Sequence, residues 1–183
     1  MALQSLEELV RYKKIPQELV VRVYPPADKQ MRDTPAMIAV RKFLETDNAA
    51  LLALYGTAGC GKTLACAWWL VQRSGDSGLW LQAPTLARVP HEGTADPVIR
   101  ACEAQSLVID DVGIEHSPGG YALSRLQEIV EFRELHRKRT VLSTNLTPAE
   151  FVARYGDRLA SRIDGDAIGW VNCGTEDMRR RHV

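Results

Sequence analysis

The chain has 183 residues, 45% of them hydrophobic and 25% charged, and its formal net charge at pH 7 is zero. This length supports one domain with a sizeable core and is too short for two ordinary domains. The balanced charge excludes a general basic field, so any contact with nucleic acid must come from a local patch. The four cysteines form no C-x-x-C pair, which argues against a zinc site or a disulfide framework and fits a reducing compartment.

Nothing in the sequence resembles an export signal or a membrane span. Glu7 and Glu8 stand where a signal peptide carries positive charge before an apolar run. No apolar run approaches the length needed to cross a bilayer. We therefore expect a cytoplasmic protein without membrane contact.

Residues 1–48 are predicted to form a leader that packs onto the domain formed by residues 49–183. Apolar spacing in residues 3–13 predicts a helix. We expect this helix to end near Ile15, because Pro16 disfavours helical geometry in the residue before it.

Two further elements are predicted within this leader. The apolar run Leu19–Tyr24 predicts a short strand or extended segment. From Pro35 to about Thr46, an amphipathic pattern predicts a helix with proline in its first turn.

The rest of the chain alternates strands and helices, which predicts a parallel sheet covered by helices on both faces. The predicted strands are Leu51–Tyr55, Leu79–Gln82, Ser106–Asp111, Thr140–Asn145 and Ile168–Asn172. The predicted helices lie at about 62–73, 96–104, 121–137, 147–163 and 176–181. Ligands of such sheets bind at the carboxyl ends of the strands, so functional residues are expected there.

The strongest local signal follows the first strand and fits the phosphate-binding pattern G-x-x-x-x-G-K-[ST]. Its residues are Gly56, Thr57, Ala58, Gly59, Cys60, Gly61, Lys62 and Thr63, followed by Leu64 at the start of an apolar, helix-compatible run. The glycines let backbone N–H groups turn towards phosphate oxygens, and a helix N-terminus adds partial positive charge. We expect Lys62 to reach the β- and γ-phosphates of a nucleotide and the Thr63 hydroxyl to bind Mg²⁺. A glycine turn with a surface lysine is the alternative, and the flanking strand and helix favour nucleotide binding.

An apolar strand that ends in two carboxylates provides the second signal. Asp110 is expected to hold Mg²⁺, directly or through water, because that ion prefers oxygen ligands. Asp111 is expected to position or deprotonate an attacking water. In isolation, a solvated Asp-Asp turn would be the better explanation. The phosphate-binding loop upstream favours the interpretation of these carboxylates as part of a nucleotide site.

Polar and cationic residues further along the chain supply weaker signals. Asn145 ends the fourth predicted strand, where its amide could orient a γ-phosphate and a water, although Asn is also common in structural turns. Arg158 and Arg162 can share a helix face, and an arginine from a neighbouring subunit can stabilise a transferring phosphoryl group. Spacing alone favours ordinary surface arginines, here and in the run Arg179–Arg181.

Several of these segments together resemble the ATPase core of the bacterial helicase-loader family. That family comprises the DnaC-like loaders and is related to the IstB-type transposition ATPases, within the AAA+ class. The resemblance is carried by Asp-Asp-Val-Gly at 110–113, Ser-Thr-Asn-Leu-Thr-Pro-Ala-Glu-Phe at 143–151 and Tyr-Gly-Asp-Arg-Leu-Ala-Ser-Arg-Ile at 155–163. It covers about residues 50–183, including an ending, Gly-Trp-Val-Asn at 169–172, that is similar to the loader C-terminus.

The resemblance implies a role for each candidate residue. These roles are Walker A for Lys62 and Thr63, Walker B for Asp110 and Asp111, sensor 1 for Asn145, arginine finger for Arg162, a supporting role for Arg158 and sensor 2 for Arg179. Asp111 stands where many AAA+ ATPases have Glu, and its side chain is one methylene shorter. The Asp-Asp-x-Gly form is familiar among loaders.

Cofactors and partners also follow from the resemblance. It implies ATP and Mg²⁺, single-stranded DNA, and self-assembly into an oligomer or spiral in which Arg162 reaches a neighbour's nucleotide. A local basic cluster supplies candidate DNA contacts, namely Arg133, Arg137, Lys138 and Arg139. Cations that complement a helix dipole are the alternative explanation of this cluster.

The expected fold is a three-layer α/β P-loop domain with five parallel strands in the order 5-1-4-3-2. Little or no helical lid is expected, so Arg179 would sit on a single terminal helix. The expected function is slow, assembly-dependent ATP hydrolysis in DNA replication, with a replicative helicase as partner. The leader is shorter than the partner-binding regions of these families, which leaves the partner open. The alternatives are an IstB-type helper acting with duplex DNA and a transposase, an ATP-dependent scaffold with negligible hydrolysis, and a small-molecule P-loop kinase.

Overall fold

The computed structural model of the chain describes residues 5–25, 30–73, 75, 77–88, 95–115 and 120–178. Within these ranges, five parallel strands form one sheet that carries helices on both faces. The arrangement is a three-layer α/β fold, as the alternation of strands and helices predicts.

The sheet has the strand order that the sequence predicts. Its strands are β1 (Leu51–Tyr55), β2 (Gly78–Gln82), β3 (Ser106–Val112), β4 (Arg139–Thr144) and β5 (Gly169–Asn172). They pair in parallel in the order β2-β3-β4-β1-β5, which confirms the order 5-1-4-3-2. Tyr55 lies opposite both Thr144 and Asn172, so the loops after β1, β4 and β5 begin side by side.

Eight helices in the described part of the chain surround the sheet. They are α1 (Leu6–Arg11), α2 (Gln17–Val23), α3 (Pro35–Glu45), α4 (Lys62–Gln72), α5 (Pro97–Glu103), α6 (Tyr121–Leu135), α7 (Pro148–Tyr155) and α8 (Asp157–Asp164). A short 3₁₀ segment, Ala83–Ala87, follows β2. Among the described residues, no helix is both long enough and apolar enough to cross a membrane.

Alternate side chains of each strand enter two separate cores. In β1, Leu52 and Leu54 pack with α1 to α4, whereas Leu51 and Ala53 pack with α5 to α8. A strand buried on both faces needs a nearly continuous apolar sequence, which explains why β1 shows no polar alternation.

Helices α2 and α3 pack against α4, the helix that follows the phosphate-binding loop, and α1 packs against α2. Leu9, Val20 and Phe43 are buried in the same core as Trp69 of α4. The rings of Phe43 and Trp69 lie 5.5 Å apart. The division of the chain at residue 48 stays a prediction.

Lys13, between α1 and α2, fixes this leader to the rest of the fold. Its buried ammonium group donates to the carbonyls of Leu70 and Arg73 at 3.2 and 2.6 Å. These carbonyls end α4, where a cation complements the helix dipole. The carbonyl of Lys13 accepts a hydrogen bond from the backbone N–H of Trp80 in the edge strand β2.

The prediction of a strand or extended segment at Leu19–Tyr24 is wrong, because Gln17–Val23 forms helix α2. Three apolar residues of this segment, Leu19, Val20 and Val23, are buried at helical spacing. Their burial against α4 outweighs the strand preference of the three valines in this run, since tertiary packing overrides weak local propensities.

The predicted terminal helix over 176–181 is wrong at its start. Glu176 and Asp177 have no helical conformation, and the described part of the segment after β5 contains no α-helix. Residues 179–181, including the sensor 2 candidate Arg179, lie outside the described residues.

Candidate nucleotide-binding site

The glycine loop joins β1 directly to the N-terminus of α4. Gly56, Gly59 and Gly61 have φ angles of 143°, 89° and 94°, which other residues rarely adopt. Gly61 occupies the N-cap position, and α4 begins at Lys62. The loop therefore presents backbone N–H groups and a helix N-terminus in one place, an arrangement suited to phosphate.

Lys62 is buried and points back across this loop. Its Nζ donates to the carbonyls of Gly56 and Thr57 at 2.7 and 2.9 Å, and to Oδ1 of Asn145 at 3.0 Å. Cys60 Sγ lies 3.6 Å away. A buried ammonium group that is solvated by neutral oxygens can exchange them for phosphate oxygens, which bind it more strongly.

Thr63 and Asp110 meet on the other side of the loop. Thr63 Oγ1 donates to Asp110 Oδ1 at 3.2 Å, and Ser143 Oγ donates to the same oxygen at 2.5 Å. Burial raises the pKa of Asp110 to about 6, an effect that these two hydrogen bonds partly oppose.

The oxygens of Thr63 and Asp110 fit a magnesium ion. Mg²⁺ binds oxygen ligands at about 2.0–2.1 Å in an octahedron, which places neighbouring ligand oxygens about 3 Å apart. The observed separation of 3.2 Å is close to that spacing. Burial disfavours the charged form of Asp110, and a bound cation would stabilise that form.

Asp111 lies at a break in the strand ladder. The register between β3 and β4 shifts between Ile109 and Val112, and Asp111 has a positive φ of 58°. Its backbone N–H donates to Ser143 Oγ at 3.0 Å. Such a bulge re-aims a side chain and is common beside functional sites, so Asp110 and Asp111 need not point to opposite faces.

Of the predicted site residues, the structure pairs Lys62 with Asn145 and Thr63 with Asp110 through direct hydrogen bonds. Leu64, the residue that follows the glycine loop, belongs to α4, is half-buried and packs against the core. Its side chain thus serves packing, and only its backbone could face a phosphate.

Arg158 and Arg162 are paired with acids of the same chain. Arg158 Nε lies 2.9 Å from Glu131 Oε1, while Arg162 contacts Glu131 at 3.6 Å and is hydrogen-bonded to Glu134. Arg158 is the more exposed of the two, with 72% of its side chain accessible against 25% for Arg162. Helix α8 is therefore fastened to α6 through both arginines.

Arg133, the first candidate of the basic cluster, does not fit a role in DNA contact. It is fully buried, and its guanidinium donates to Thr140 Oγ1 and to backbone carbonyls that include those of Ala101, Ala104 and Arg139. A phosphate cannot reach it in this structure. The sequence did not distinguish this buried cation from the more accessible cations that follow it.

The other three cations of the cluster also bind carbonyl oxygens. Arg137 donates a hydrogen bond to the backbone carbonyl of Asn48, Lys138 donates one to that of Glu103, and Arg139 donates one to that of Thr46. The cluster runs from the last turn of α6 to the first residue of β4 and therefore lies at the opposite end of the strands from the phosphate loop.

Two residues that contribute to the site were not predicted from the sequence. Ser143 bonds both Asp110 and the backbone of Asp111, and its position in a strand paired with β3 could have indicated this. Glu115 is buried after β3. It accepts hydrogen bonds from Gly113 N–H, at 2.8 Å, and from the Tyr155 hydroxyl.

The fold and this geometry define a P-loop α/β domain. No protein-family model matches the sequence, and no curated protein matches it. Solved structures do match: the crystal structure of the DnaC helicase loader shares 21% identity at a TM-score of 0.62, covering 78% of this chain and 93% of that one. The crystal structure of DnaI shares 17% identity at a TM-score of 0.67, covering 88% and 99%.

A replication initiator has a similar fold. The structure of DnaA bound to AMPPCP and single-stranded DNA shares 21% identity at a TM-score of 0.63. The match covers 77% of this chain and 47% of DnaA, so the likeness concerns about half of that protein. The chain therefore has the fold of these loader and initiator AAA+ domains, as the motifs predict.

Proposed function

We propose that this protein binds ATP with Mg²⁺ and hydrolyses it slowly while assembled on single-stranded DNA, as a helicase loader does. The observation that carries this proposal is the convergence of Lys62, Thr63, Asp110 and Asn145 at the carboxyl ends of β1, β3 and β4. Ligands of open α/β sheets bind at that edge.

Each residue of this cluster has a distinct task in the proposed reaction. Lys62 binds phosphate oxygens, and Thr63 with Asp110 holds Mg²⁺, which neutralises charge on the phosphates. Asp111 accepts a proton from the attacking water, and Asn145 orients that water through its amide. The hydrogen bond between Lys62 and Asn145 supports this assignment, because it keeps the amide beside the phosphate-binding ammonium group.

The proposed site is completed by a neighbouring copy of the chain. Arg162 is the candidate that reaches the neighbour's γ-phosphate, Arg158 supports it, and Arg179 acts as sensor 2. An arginine at the γ-phosphate stabilises negative charge in the transition state. Since Arg162 is paired with Glu134 in the single chain, assembly has to exchange that partner for the nucleotide.

The proposed DNA and protein partners follow from the similar structures. One of them is a helicase loader, and another is an initiator bound to a nucleotide analogue and single-stranded DNA. Within the basic cluster, Arg137 is the strongest candidate for a phosphate contact, because 59% of its side chain is exposed. Lys138 and Arg139 are secondary candidates. The proposed protein partner is a replicative helicase in the cytoplasm.

A nucleotide-dependent scaffold with negligible hydrolysis is the second candidate. The ion pairs of Arg162 with Glu131 and Glu134 favour it, because they hold the proposed finger within its own chain. In that case the chain would bind ATP and assemble without turnover.

The proposal is tested by measuring ATP binding first and turnover second. Turnover is then followed over rising protein concentration with single-stranded DNA, with duplex DNA and without DNA. We expect specific activity to rise with protein concentration and to respond most to single strands. A stronger response to duplex DNA would favour the transposition helper, and binding without turnover would favour the scaffold. Absence of nucleotide binding would contradict the proposal as a whole.

A further inference from the structure

The segment that follows β5 lies directly on the phosphate-binding loop. The N–H of Thr57 donates to the carbonyl of Gly174 at 3.2 Å, and the N–H of Met178 donates to the carbonyl of Gly59 at 3.1 Å. Residues 174–178, hereafter the C-terminal strap, are therefore hydrogen-bonded to the loop at both ends.

The glycines of the loop permit this close approach. A Cβ atom at Gly56 would lie 2.6 Å from the carbonyl oxygen of Gly174, and one at Gly61 would lie 2.8 Å from the Met178 methyl carbon. A Cβ at Gly59 would overlap the carboxylate of Asp177. The glycines thus accommodate the strap as well as allowing the loop to turn.

The strap supplies groups of the kind that a nucleotide would bring. Asp177 places a carboxylate against a loop whose N–H groups and helix N-terminus favour anions. The carbonyl of Gly174 accepts the hydrogen bond that the N–H of Thr57 could otherwise donate to a phosphate. Lys62 meanwhile binds the loop carbonyls of Gly56 and Thr57. The donors of the loop are thus partly engaged by the chain itself.

We propose that the C-terminal strap is an autoinhibitory contact, which a nucleotide displaces when its phosphates enter the loop. The inference rests on the proposed nucleotide binding and adds a regulation to it. Asp177 is its central residue, because its negative charge opposes the entry of phosphate. Displacement of the strap also breaks the hydrogen bond between the Met178 N–H and the Gly59 carbonyl.

The first test compares two isosteric substitutions in the full chain. Asp177→Asn removes the charge beside the loop, whereas the matched control Asp47→Asn removes an exposed charge before β1, at the end of that strand away from the loop. We expect ADP to bind about 5-fold more tightly to Asp177→Asn in low salt, and to bind the control as it binds wild type, because nearby like charges repel. The gain should shrink as salt screens the repulsion.

The second test follows the strap by hydrogen exchange with and without ADP. We expect the amide of Met178 to exchange faster with ADP, because its bond to Gly59 is lost, while amides of the phosphate loop exchange more slowly. Slower or unchanged exchange at Met178 would overturn the proposal, and so would equal or weaker ADP binding by Asp177→Asn when wild type binds ADP. Failure of every protein to bind ADP would overturn the proposed function and the strap together.

Discussion

Lys62 Nζ and Asn145 Oδ1 lie 3.0 Å apart, although 83 positions separate the two residues in the chain. The contact forms because β1 and β4 are neighbours and both end at the same edge of the sheet. The lysine that we propose binds phosphate therefore lies in direct contact with the amide that we propose orients water. Loss of Lys62 should remove nucleotide binding before any effect on catalysis can be measured.

For Lys62→Ala, we expect about 100-fold weaker binding of ATP and ADP, since a pair of charge-assisted hydrogen bonds is lost. Isothermal titration or a fluorescent nucleotide would measure it. Lys42→Ala is the matched control, because Lys42 is an exposed lysine in the last turn of α3. Equal affinities of wild type and Lys62→Ala would exclude the phosphate-loop assignment.

Asp110 should make the stability of the empty protein depend on pH. Burial raises the pKa of this carboxyl from 3.8 to about 6, so the folded state holds a proton that the unfolded state releases. Above pH 6 the buried charge destabilises the fold by about 3 kcal/mol, and this cost fades as the pH falls from 6 towards 4.

Asp110→Asn should therefore be more stable than wild type at pH 8, by up to about 3 kcal/mol, with the difference declining below pH 6. Urea unfolding between pH 5 and pH 8, without nucleotide or Mg²⁺, would measure it. Asp47→Asn, at an exposed turn position, is the matched control and should change stability by less than about 0.5 kcal/mol. A stability difference between Asp110→Asn and wild type that does not change with pH would contradict the raised pKa of Asp110.

Much of this site could be predicted because its signals are local. The spacing of glycines and Lys62, the run of apolar residues before Asp110 and the capping box at Thr147 each fix a short segment without reference to the rest of the fold. The strand order followed from the family resemblance.

Contacts between distant segments could not be predicted. Helix α2 depends on burial of Val20 and Val23 against α4, which a single segment cannot reveal. Arg133 can be buried because backbone carbonyls of α5 and β4 accept its hydrogen bonds, and its own segment does not reveal these partners. The contact of Asp177 with Gly59 likewise joins residues that only the pairing of β1 with β5 brings together.

Arg162 should be required for hydrolysis and dispensable for binding. Arg162→Ala removes the proposed charge at a neighbour's γ-phosphate, so turnover at high protein concentration should fall by about 10³-fold while the ATP affinity is retained. Mixing Arg162→Ala with Asp111→Asn should restore part of the activity, because each protein supplies what the other lacks. A mixture as inactive as its components would contradict a shared site.

Arg133 should contribute to stability. Burial lowers the pKa of its guanidinium, and carbonyls of α5 and β4 satisfy its donors. Arg133→Met would leave these carbonyls buried and unpaired, at a cost of about 3 kcal/mol in urea unfolding. Arg22→Met, on the exposed face of α2, should change stability by less than about 0.5 kcal/mol. Unchanged stability together with weakened DNA binding for Arg133→Met would instead support the role first predicted from the sequence.

Glu115 should stabilise the turn that follows the two aspartates. Its carboxylate accepts hydrogen bonds from Gly113 N–H and from Tyr155, and the Tyr155 pKa is raised by burial and by this bond. Glu115→Ala would leave both donors buried without their acceptor, so we expect a loss of about 2–4 kcal/mol in urea unfolding. Glu18→Ala, at an exposed position of α2, should cost less than about 0.5 kcal/mol. Equal stabilities of the two variants would show that the turn holds its shape without Glu115.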